Sequence, residues 1–276
     1  MKFLSFLCVV ATYGNVAMAH PTQDMLPMPH LPPSSWNTHT HCFDPDRHPF
    51  KSSRAYTPQA APPHDLIEHS PADNVMIVQA TIEDGYSGLL ETLANGHRDY
   101  PQKQIRGTIS WDPEDLSLRN KTDSEWDKLN KAGVRSVRIH GSYGGSGDDL
   151  NWVLKNFVDT TMVRQLPMIT TLCTEFSGFL SLLEAGRLHV KTGALHRRSD
   201  DVSLMEPVVK SFVKAAPSGV VWGSDWPHVN ATAKGLTPAP PLEVDTGKEL
   251  RLLREWLTND EWVRVFVVNP TQIFGL

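Results

Sequence analysis

The sequence contains few cysteines and no apolar run of the length needed to cross a bilayer. No Cys-x-x-Cys pair is present, which excludes a cysteine-based zinc or redox site. Cys42 and Cys173 each directly follow a predicted strand. We expect them to be free buried thiols, and a disulfide between them is the open alternative.

Basic residues are too few to indicate a nucleic-acid partner. Lysine and arginine total 26 against 31 aspartate and glutamate residues, which gives a net charge of -5, and no basic cluster is present. Proteins that bind phosphate backbones usually carry a basic surplus or patch. The glycine-rich stretch from Gly141 to Gly147 also lacks the spacing of a dinucleotide or phosphate-binding loop. We therefore expect a small-molecule partner, with the oligomeric state left open.

The N-terminal residues have the composition of a leader followed by an extended arm. Residues 1–19 combine a lysine, a short apolar run and the triplet Ala17-Met18-Ala19, which is typical of a cleaved signal peptide. Residues 20–33 are rich in proline. We expect a secreted protein whose domain comprises residues 34–276, with N-glycosylation acceptors at Asn120 and Asn230.

From Ser34 onward, short β-branched runs alternate with longer amphipathic stretches, which is typical of parallel strands with helical crossovers. The predicted strands are Trp36 to His41, Val75 to Thr81, Ile105 to Trp111, Val134 to His140, Pro167 to Leu172, Leu188 to Thr192 and Val220 to Gly223. The predicted helices are Gly85 to His97, Ser124 to Ala132, Leu150 to Arg164, Phe176 to Ala185 and Ser203 to Lys214. Apolar parallel strands in a chain of this length favour an α/β fold of the TIM-type (β/α) barrel class, with seven strands recognisable where a full barrel has eight.

Chemistry in such a barrel takes place at the C-terminal ends of the strands. The first strand ends in His39-Thr40-His41, and side chains two residues apart on a strand point the same way. Paired imidazoles hold a metal ion or polarise a substrate oxygen. The last strand leads to Asp225, which can serve as a metal ligand, as a base that activates water, or as both in turn.

Several short motifs, through their order and spacing, resemble one enzyme family. They are His39-Thr40-His41, the Gly-Val-Arg-x-Val-Arg of Gly133 to Arg138, the Trp-Gly-Ser-Asp-Trp-Pro of Trp222 to Pro227, and the supporting stretches Arg54 to Pro58 and Val190 to Gly193. From Ser34 to Leu276 the chain resembles the amidohydrolase-related family of the amidohydrolase superfamily, and within it the 2-pyrone-4,6-dicarboxylate lactonases. The resemblance implies a metallo-dependent hydrolase-like barrel that opens a lactone or cyclic ester of a pyrone or aromatic carboxylic acid.

The same resemblance implies roles for individual residues. His39 and His41 would polarise the scissile carbonyl, or would bind one divalent metal ion such as zinc together with Asp225. A metal-free site is the alternative, and in either case Asp225 would take a proton from the attacking water. Carboxylates of the substrate would be bound by Tyr56, Arg138, Lys191 and Arg197. A planar guanidinium suits this role because it donates two parallel hydrogen bonds to a carboxylate.

The chain departs from the family pattern in one respect. Relatives carry a further histidine on a later strand, whereas no histidine occurs between Gly141 and Leu188. One β/α unit is therefore missing from the pattern, as if by an internal deletion. Two alternatives to lactone hydrolysis stay open: a metal-dependent non-oxidative decarboxylase of an aromatic acid, and a non-catalytic barrel that lacks one ligand histidine.

Overall fold

The N-terminal half forms a sheet of four parallel strands with helical crossovers. The computed structural model describes residues 27–110, 121–138, 180–181, 183–186 and 189–275. In this half the elements are β1 (Trp36–Thr40), α1 (Pro63–His69), β2 (Asn74–Val78), α2 (Ser87–Asp99), β3 (Ile105–Ser110), α3 (Asp123–Lys131) and β4 (Val134–Arg138). The strands lie in the order β1-β2-β3-β4 and all pair in parallel, so the predicted α/β class is confirmed.

The C-terminal half adds two short parallel strands and a series of helices. The elements are β5 (Val190–Lys191), α4 (Glu206–Ala215), β6 (Val220–Val221), α5 (Thr246–Trp256), α6 (Asn259–Val263) and α7 (Asn269–Phe274). Tight turns of 3-10 helix cover Leu195–Arg197 and Val202–Met205. Within the described residues, no helix has the length and apolar character needed to cross a membrane.

The residues after β6 are hydrogen-bonded to the edge of β1 that β2 leaves open. The Thr38 amide donates to the Trp222 carbonyl at 2.9 Å, and the His41 amide donates to the Trp226 carbonyl at 2.8 Å. Thr40 and Trp226 accordingly form a parallel bridge. β1 therefore lies between β2 and the chain that follows β6, and its C-terminal end is enclosed from both sides.

Both faces of this sheet are covered, which explains why every residue of β1 and β2 is buried. One face packs against α2 and α3 through a cluster that includes Ile77, Leu93, Ile109 and Trp126. The opposite face buries a second cluster, made of Trp36, Met76, Val78, Val221 and Phe274. Because Phe274 ends α7, the C-terminal helix closes the interior beneath β1.

The observed elements differ from the prediction mainly at their ends. Six predicted strands coincide with observed ones, but β5 and β6 contain only two residues each. Four helices were not predicted: α1, α5, α6 and α7. The predicted strand Pro167 to Leu172, the helix Leu150 to Arg164 and half of the helix Phe176 to Ala185 lie outside the described residues, as does the signal peptide. Cys42 is a free buried thiol, and Cys173 lies outside the described part.

Candidate active site

The side chain of Asn37 fastens β1 to the segment that carries Asp225. Its Nδ2 donates to Ser224 Oγ at 2.8 Å, and its Oδ1 accepts from the Ser224 amide at 2.9 Å. The Asp225 amide then donates to the His39 carbonyl at 2.8 Å. All three contacts join residues more than 180 positions apart and place Asp225 directly beside the two histidines.

Two glycines allow these backbones to approach closely. A methyl group on Gly223 would lie 2.6 Å from both the amide nitrogen and Cβ of His39, a separation that real side chains do not tolerate. A methyl group on Gly193 would collide with the Gly223 carbonyl. Glycine is therefore required at both positions for β5, the segment after β6 and β1 to meet at the site.

Asp225 occupies a turn that directs its carboxylate toward the histidines. Its φ is 65°, and His228 at the other end of the turn has φ 62°, both in the left-handed region. The His228 amide closes this turn by donating to the Asp225 carbonyl at 2.8 Å. Aspartate is among the few non-glycine residues found there with appreciable frequency, and such conformations concentrate at functional sites.

The predicted triad of His39, His41 and Asp225 is brought together. Asp225 Oδ1 lies 3.7 Å from His39 Nε2 and 3.4 Å from His41 Nε2. One ligand atom from each residue lies within 4.8 Å of the other two. The two imidazole rings stand 5.2 Å apart, edge to face. Among the described residues this is the one group of three or more potential ligands that converges in this way.

His41 presents its Nε2 toward Asp225 in a defined orientation. Its Nδ1 lies 2.6 Å from the Val78 carbonyl, which can only accept, so Nδ1 carries a proton. Nε2 therefore either carries a second proton and faces Asp225 as an imidazolium, or offers a lone pair toward the same space as the carboxylate.

Arg197 is the second partner of Asp225. Its Nε donates to Asp225 Oδ2, and its Nη2 donates to the Val229 carbonyl at 3.2 Å. Burial alone would raise the pKa of Asp225, but the hydrogen bond from His41 and the charge of Arg197 outweigh it and hold that pKa well below its usual range. Asp225 is therefore ionised at any pH at which the protein would work.

His39 is held in its neutral form. Burial lowers its pKa well below the usual value, and the nearby Lys191 ammonium lowers it further, against the opposing effect of Asp225. Lys191 Nζ donates to the Thr38 carbonyl at 2.6 Å and lies over the ring of Phe274. The lysine thus enters the sheet interior directly below the histidines.

The two other predicted substrate-binding residues lie around this centre. Arg138 ends β4, where its Nη1 donates to the Gln79 carbonyl at a long 3.4 Å and its charge acts on His39. The Nε of Arg138 is buried and has no hydrogen-bond partner in the described structure. Tyr56 lies in the loop before α1, bridged to Lys234 and packed against a hydrophobic cluster that contains Phe43. Whether these residues bind substrate stays a prediction.

Glu249 was not predicted, although it supports the site. This buried carboxyl of α5 accepts from the Leu195 amide at 2.7 Å and from Trp222 Nε1 at 2.9 Å. It thereby joins the turn that carries Arg197 to the strand that leads to Asp225. Burial raises the pKa of Glu249 to about 7. A sequence signal existed, because Glu249 lies on the same face of the helix as the buried residues Leu250, Leu253 and Trp256.

The chain is similar to two curated lactone hydrolases over most of its length. It is 23% identical to 4-sulfomuconolactone hydrolase of Hydrogenophaga intermedia over 291 residues, which covers 89% of this chain and 90% of that protein. It is 25% identical to 4-sulfomuconolactone hydrolase of Rhizobium radiobacter over 297 residues, covering 89% and 91%. No family model matches the chain. Both alignments are longer than the 276-residue chain although they include only part of it, so both contain gaps on this chain's side.

Proposed function

We propose that this protein is a hydrolase of the amidohydrolase-related family that opens a lactone or cyclic ester of a pyrone or aromatic carboxylic acid. The observation that carries the proposal is the convergence of His39, His41 and Asp225 within 4.8 Å, with Asp225 paired to Arg197. The names of the two relatives support a lactone as substrate. Because the triad is assembled, the alternative of a non-catalytic protein is less favoured.

We further propose that the sheet belongs to a (β/α) barrel. Three features support it: the strands are parallel, β1 is paired on both edges, and side chains of β1, β2, β6 and α7 fill a common interior. The gaps in the alignments with both relatives are consistent with a barrel one β/α unit short. We also extend the proposal to secretion through the N-terminal signal peptide.

The donor set at the triad fits a divalent metal ion such as zinc. Two ligands of a tetrahedral zinc ion, each about 2.1 Å from it, lie about 3.4 Å apart. The distances from Asp225 Oδ1 to the two histidine nitrogens, 3.7 and 3.4 Å, are of this size. The bond between His41 Nδ1 and Val78 is also the kind of outer contact that orients a ligand histidine. When bound, the metal would polarise the lactone carbonyl and lower the pKa of a water molecule.

Within this site, Asp225 is placed to receive the proton of the attacking water. It is ionised, and its Oδ1 faces the space shared with His39 and His41. Its pairing with Arg197 makes it a weak base while no substrate is bound. A substrate anion that draws the guanidinium away from Oδ2 would raise the pKa of Asp225 and strengthen the base as the ring is attacked.

The surrounding charges support an anionic substrate. Arg138, Lys191 and Arg197 all lie at or beside the C-terminal ends of strands, around the triad. The buried Nε of Arg138 is a guanidinium donor that has no partner in the described residues. A carboxylate on the substrate would satisfy that donor in a charge-assisted hydrogen bond.

The test is hydrolysis of two lactones, 2-pyrone-4,6-dicarboxylate and 4-sulfomuconolactone. The loss of their ultraviolet absorbance measures the rate. We expect turnover by the wild type and a loss of about a hundredfold or more in Asp225→Asn, because proton transfer is removed. Asp127→Asn is the matched control, since Asp127 is an exposed carboxylate of α3. Metal content is measured on the same samples before and after dialysis against a chelator.

Two results would count against the proposal. If Asp225→Asn hydrolysed the lactones as fast as the wild type, Asp225 would not be the base. If the wild type left both lactones intact but released carbon dioxide from aromatic acids, the decarboxylase alternative would replace lactone hydrolysis.

A further inference from the structure

Two histidines beside the triad, the buried His228 and the half-buried His196, have no role in the proposed chemistry. His196 lies in the 3-10 turn that carries Arg197, and His228 lies three residues after Asp225 at the end of its turn. Their rings are 5.4 Å apart and stand edge to face at 83°. The pair therefore adjoins the contact between Arg197 and Asp225 from two different segments of the chain.

The nitrogens of this histidine pair are almost entirely unsatisfied. Both ring nitrogens of His196 and the Nδ1 of His228 are buried and have no hydrogen-bond partner among the described residues. His228 is only 9% exposed, and its Nε2 lies at a long 3.3 Å from Thr246 Oγ1. Buried polar atoms normally have partners, because leaving them without one costs free energy. Three unsatisfied nitrogens at one place indicate that a ligand supplies the partners.

The charges beside the pair oppose each other, so its hydrogen-bonding capacity indicates which ligand it would accept. Burial lowers the pKa of both rings; the Arg197 guanidinium also lowers both, whereas the Asp225 carboxylate raises both and acts on His228 more strongly than Arg197 does. Among the described residues, no third potential metal ligand converges with the two rings. Each neutral imidazole can instead turn one N–H toward an anionic oxygen. The environment thus favours a carboxylate or sulfonate over a metal ion.

We propose that His196 and His228 form a binding subsite for an anionic oxygen group, a carboxylate or sulfonate, of the substrate. The proposal rests on the proposed function, since it deepens the substrate class of the same site. His228 belongs to the turn of Asp225, so a group bound there lies within the span of a small substrate whose lactone is at the triad. Arg138 lies at the end of β4, on the other side of β1, and would receive a second anionic group. The substrate would therefore carry two anionic groups.

Matched ligands that differ by one anionic group test this subsite. The first pair is 4-sulfomuconolactone and muconolactone, and the second is 2-pyrone-4,6-dicarboxylate and 2-pyrone-6-carboxylate. Equilibrium binding is measured by calorimetry, and KM and kcat are measured where turnover occurs. The variants are His196→Phe and His228→Phe, which keep an aromatic ring but remove its hydrogen bonds. His64→Phe is the matched control, because His64 is an exposed histidine of α1.

For the doubly anionic member of at least one pair, we expect Kd and KM to rise about tenfold or more in each variant, since a hydrogen bond to a charged group is lost. The singly anionic member should bind with nearly unchanged affinity, and kcat should change little because the interaction contributes equally before and during reaction. If the phenylalanine variants do not fold, His196→Gln and His228→Gln retain an N–H donor. We expect these to weaken binding of the doubly anionic ligands selectively but less.

The subsite would be overturned if the variants bound both members of each ligand pair equally more weakly than the wild type does. It would also be overturned if the variants bound every ligand as tightly as the wild type. The absence of any binding by the wild type would overturn it as well. Selective loss of binding in a protein that hydrolyses none of the lactones would support the subsite and refute the proposed function. Conversely, hydrolysis by variants that bind like the wild type would refute the subsite and leave the proposed function standing.

Discussion

Replacement of Glu249 by glutamine should change how the stability of the protein depends on pH. In the structure, both carboxylate oxygens of Glu249 accept hydrogen bonds from groups that can only donate: the Leu195 amide at 2.7 Å and Trp222 Nε1 at 2.9 Å. The side chain is 5% exposed. A glutamine there has one acceptor oxygen, so its NH₂ group must face one of the two N–H donors.

The magnitude follows from the pKa of Glu249, which burial raises from 4.5 to about 7. Between these values the folded protein retains a proton that the unfolded chain has released, so stability falls as pH rises through this window. The difference in pKa corresponds to about 3 kcal/mol, all of it lost once the pH exceeds 7. In Glu249→Gln this loss is absent, but one buried donor remains unsatisfied at a cost of about 1–3 kcal/mol.

The variant should therefore be less stable than the wild type at pH 5. This difference in the free energy of unfolding, the stability gap, should close or reverse by pH 8. Urea denaturation followed by tryptophan fluorescence at several pH values measures both free energies of unfolding. Glu255→Gln is the matched control, because Glu255 is an exposed carboxylate of the same helix. A gap between wild type and Glu249→Gln that stayed constant from pH 5 to pH 8 would refute the inferred titration of Glu249.

Three further changes probe the site and its supports. Arg197→Met should lower stability at pH 7 by about 2 kcal/mol, between the values for exposed and buried pairs. Because Asp225 stays ionised in the folded protein far below its usual range, the loss should be the same at pH 5 as at pH 7, and a loss that disappeared by pH 5 in denaturant titrations would contradict it. Gly223→Ala should lower the free energy of unfolding by about 1–3 kcal/mol, since the methyl group would lie 2.6 Å from His39. It should also reduce kcat/KM. If the variant had the melting temperature and activity of the wild type, the close approach would not be required. Thr122→Ala should lower the free energy of unfolding by about 1 kcal/mol, because it removes the capping box of α3, and should leave activity unchanged. Calorimetric melting measures the loss of stability. A loss of activity would show that α3 influences the site.

The parts of the site that depend on local geometry could be predicted from the sequence. His39 and His41 are two residues apart on a strand, so their common direction follows from the strand repeat, and the structure places their rings 5.2 Å apart. The alternation of apolar and amphipathic segments is also a local pattern, and it predicted the succession of β1 to β4 along the chain. The ends of the strands could not be predicted, because pairing with neighbours determines them.

Contacts between distant segments were harder to predict from the sequence. That Asp225 meets the histidines was expected from the general rule about strand ends and from the family resemblance, whereas the contact itself depends on the hydrogen bonds between Asn37 and Ser224. Glu249 was overlooked because an acidic residue on an amphipathic helix is usually exposed, and only its position beside Leu250 and Leu253 marks it as buried. α1 was missed because a seven-residue helix that begins with proline has too few turns to show a periodic pattern.

The sequence predicted the same role, binding of substrate carboxylates, for Arg138, Lys191 and Arg197. Their contacts in the structure indicate that these three residues have different roles. Lys191 already donates to the Thr38 carbonyl, and Arg197 already pairs with Asp225, so both stabilise the resting arrangement of the site. An incoming anion would compete with those contacts for the same cations, which links its binding to the basicity of Asp225. Arg138 has a buried donor that no described residue satisfies, and so can hold an anion without such displacement. Affinity should therefore depend mainly on Arg138 and the His196–His228 pair, and the rate of the chemical step mainly on Arg197.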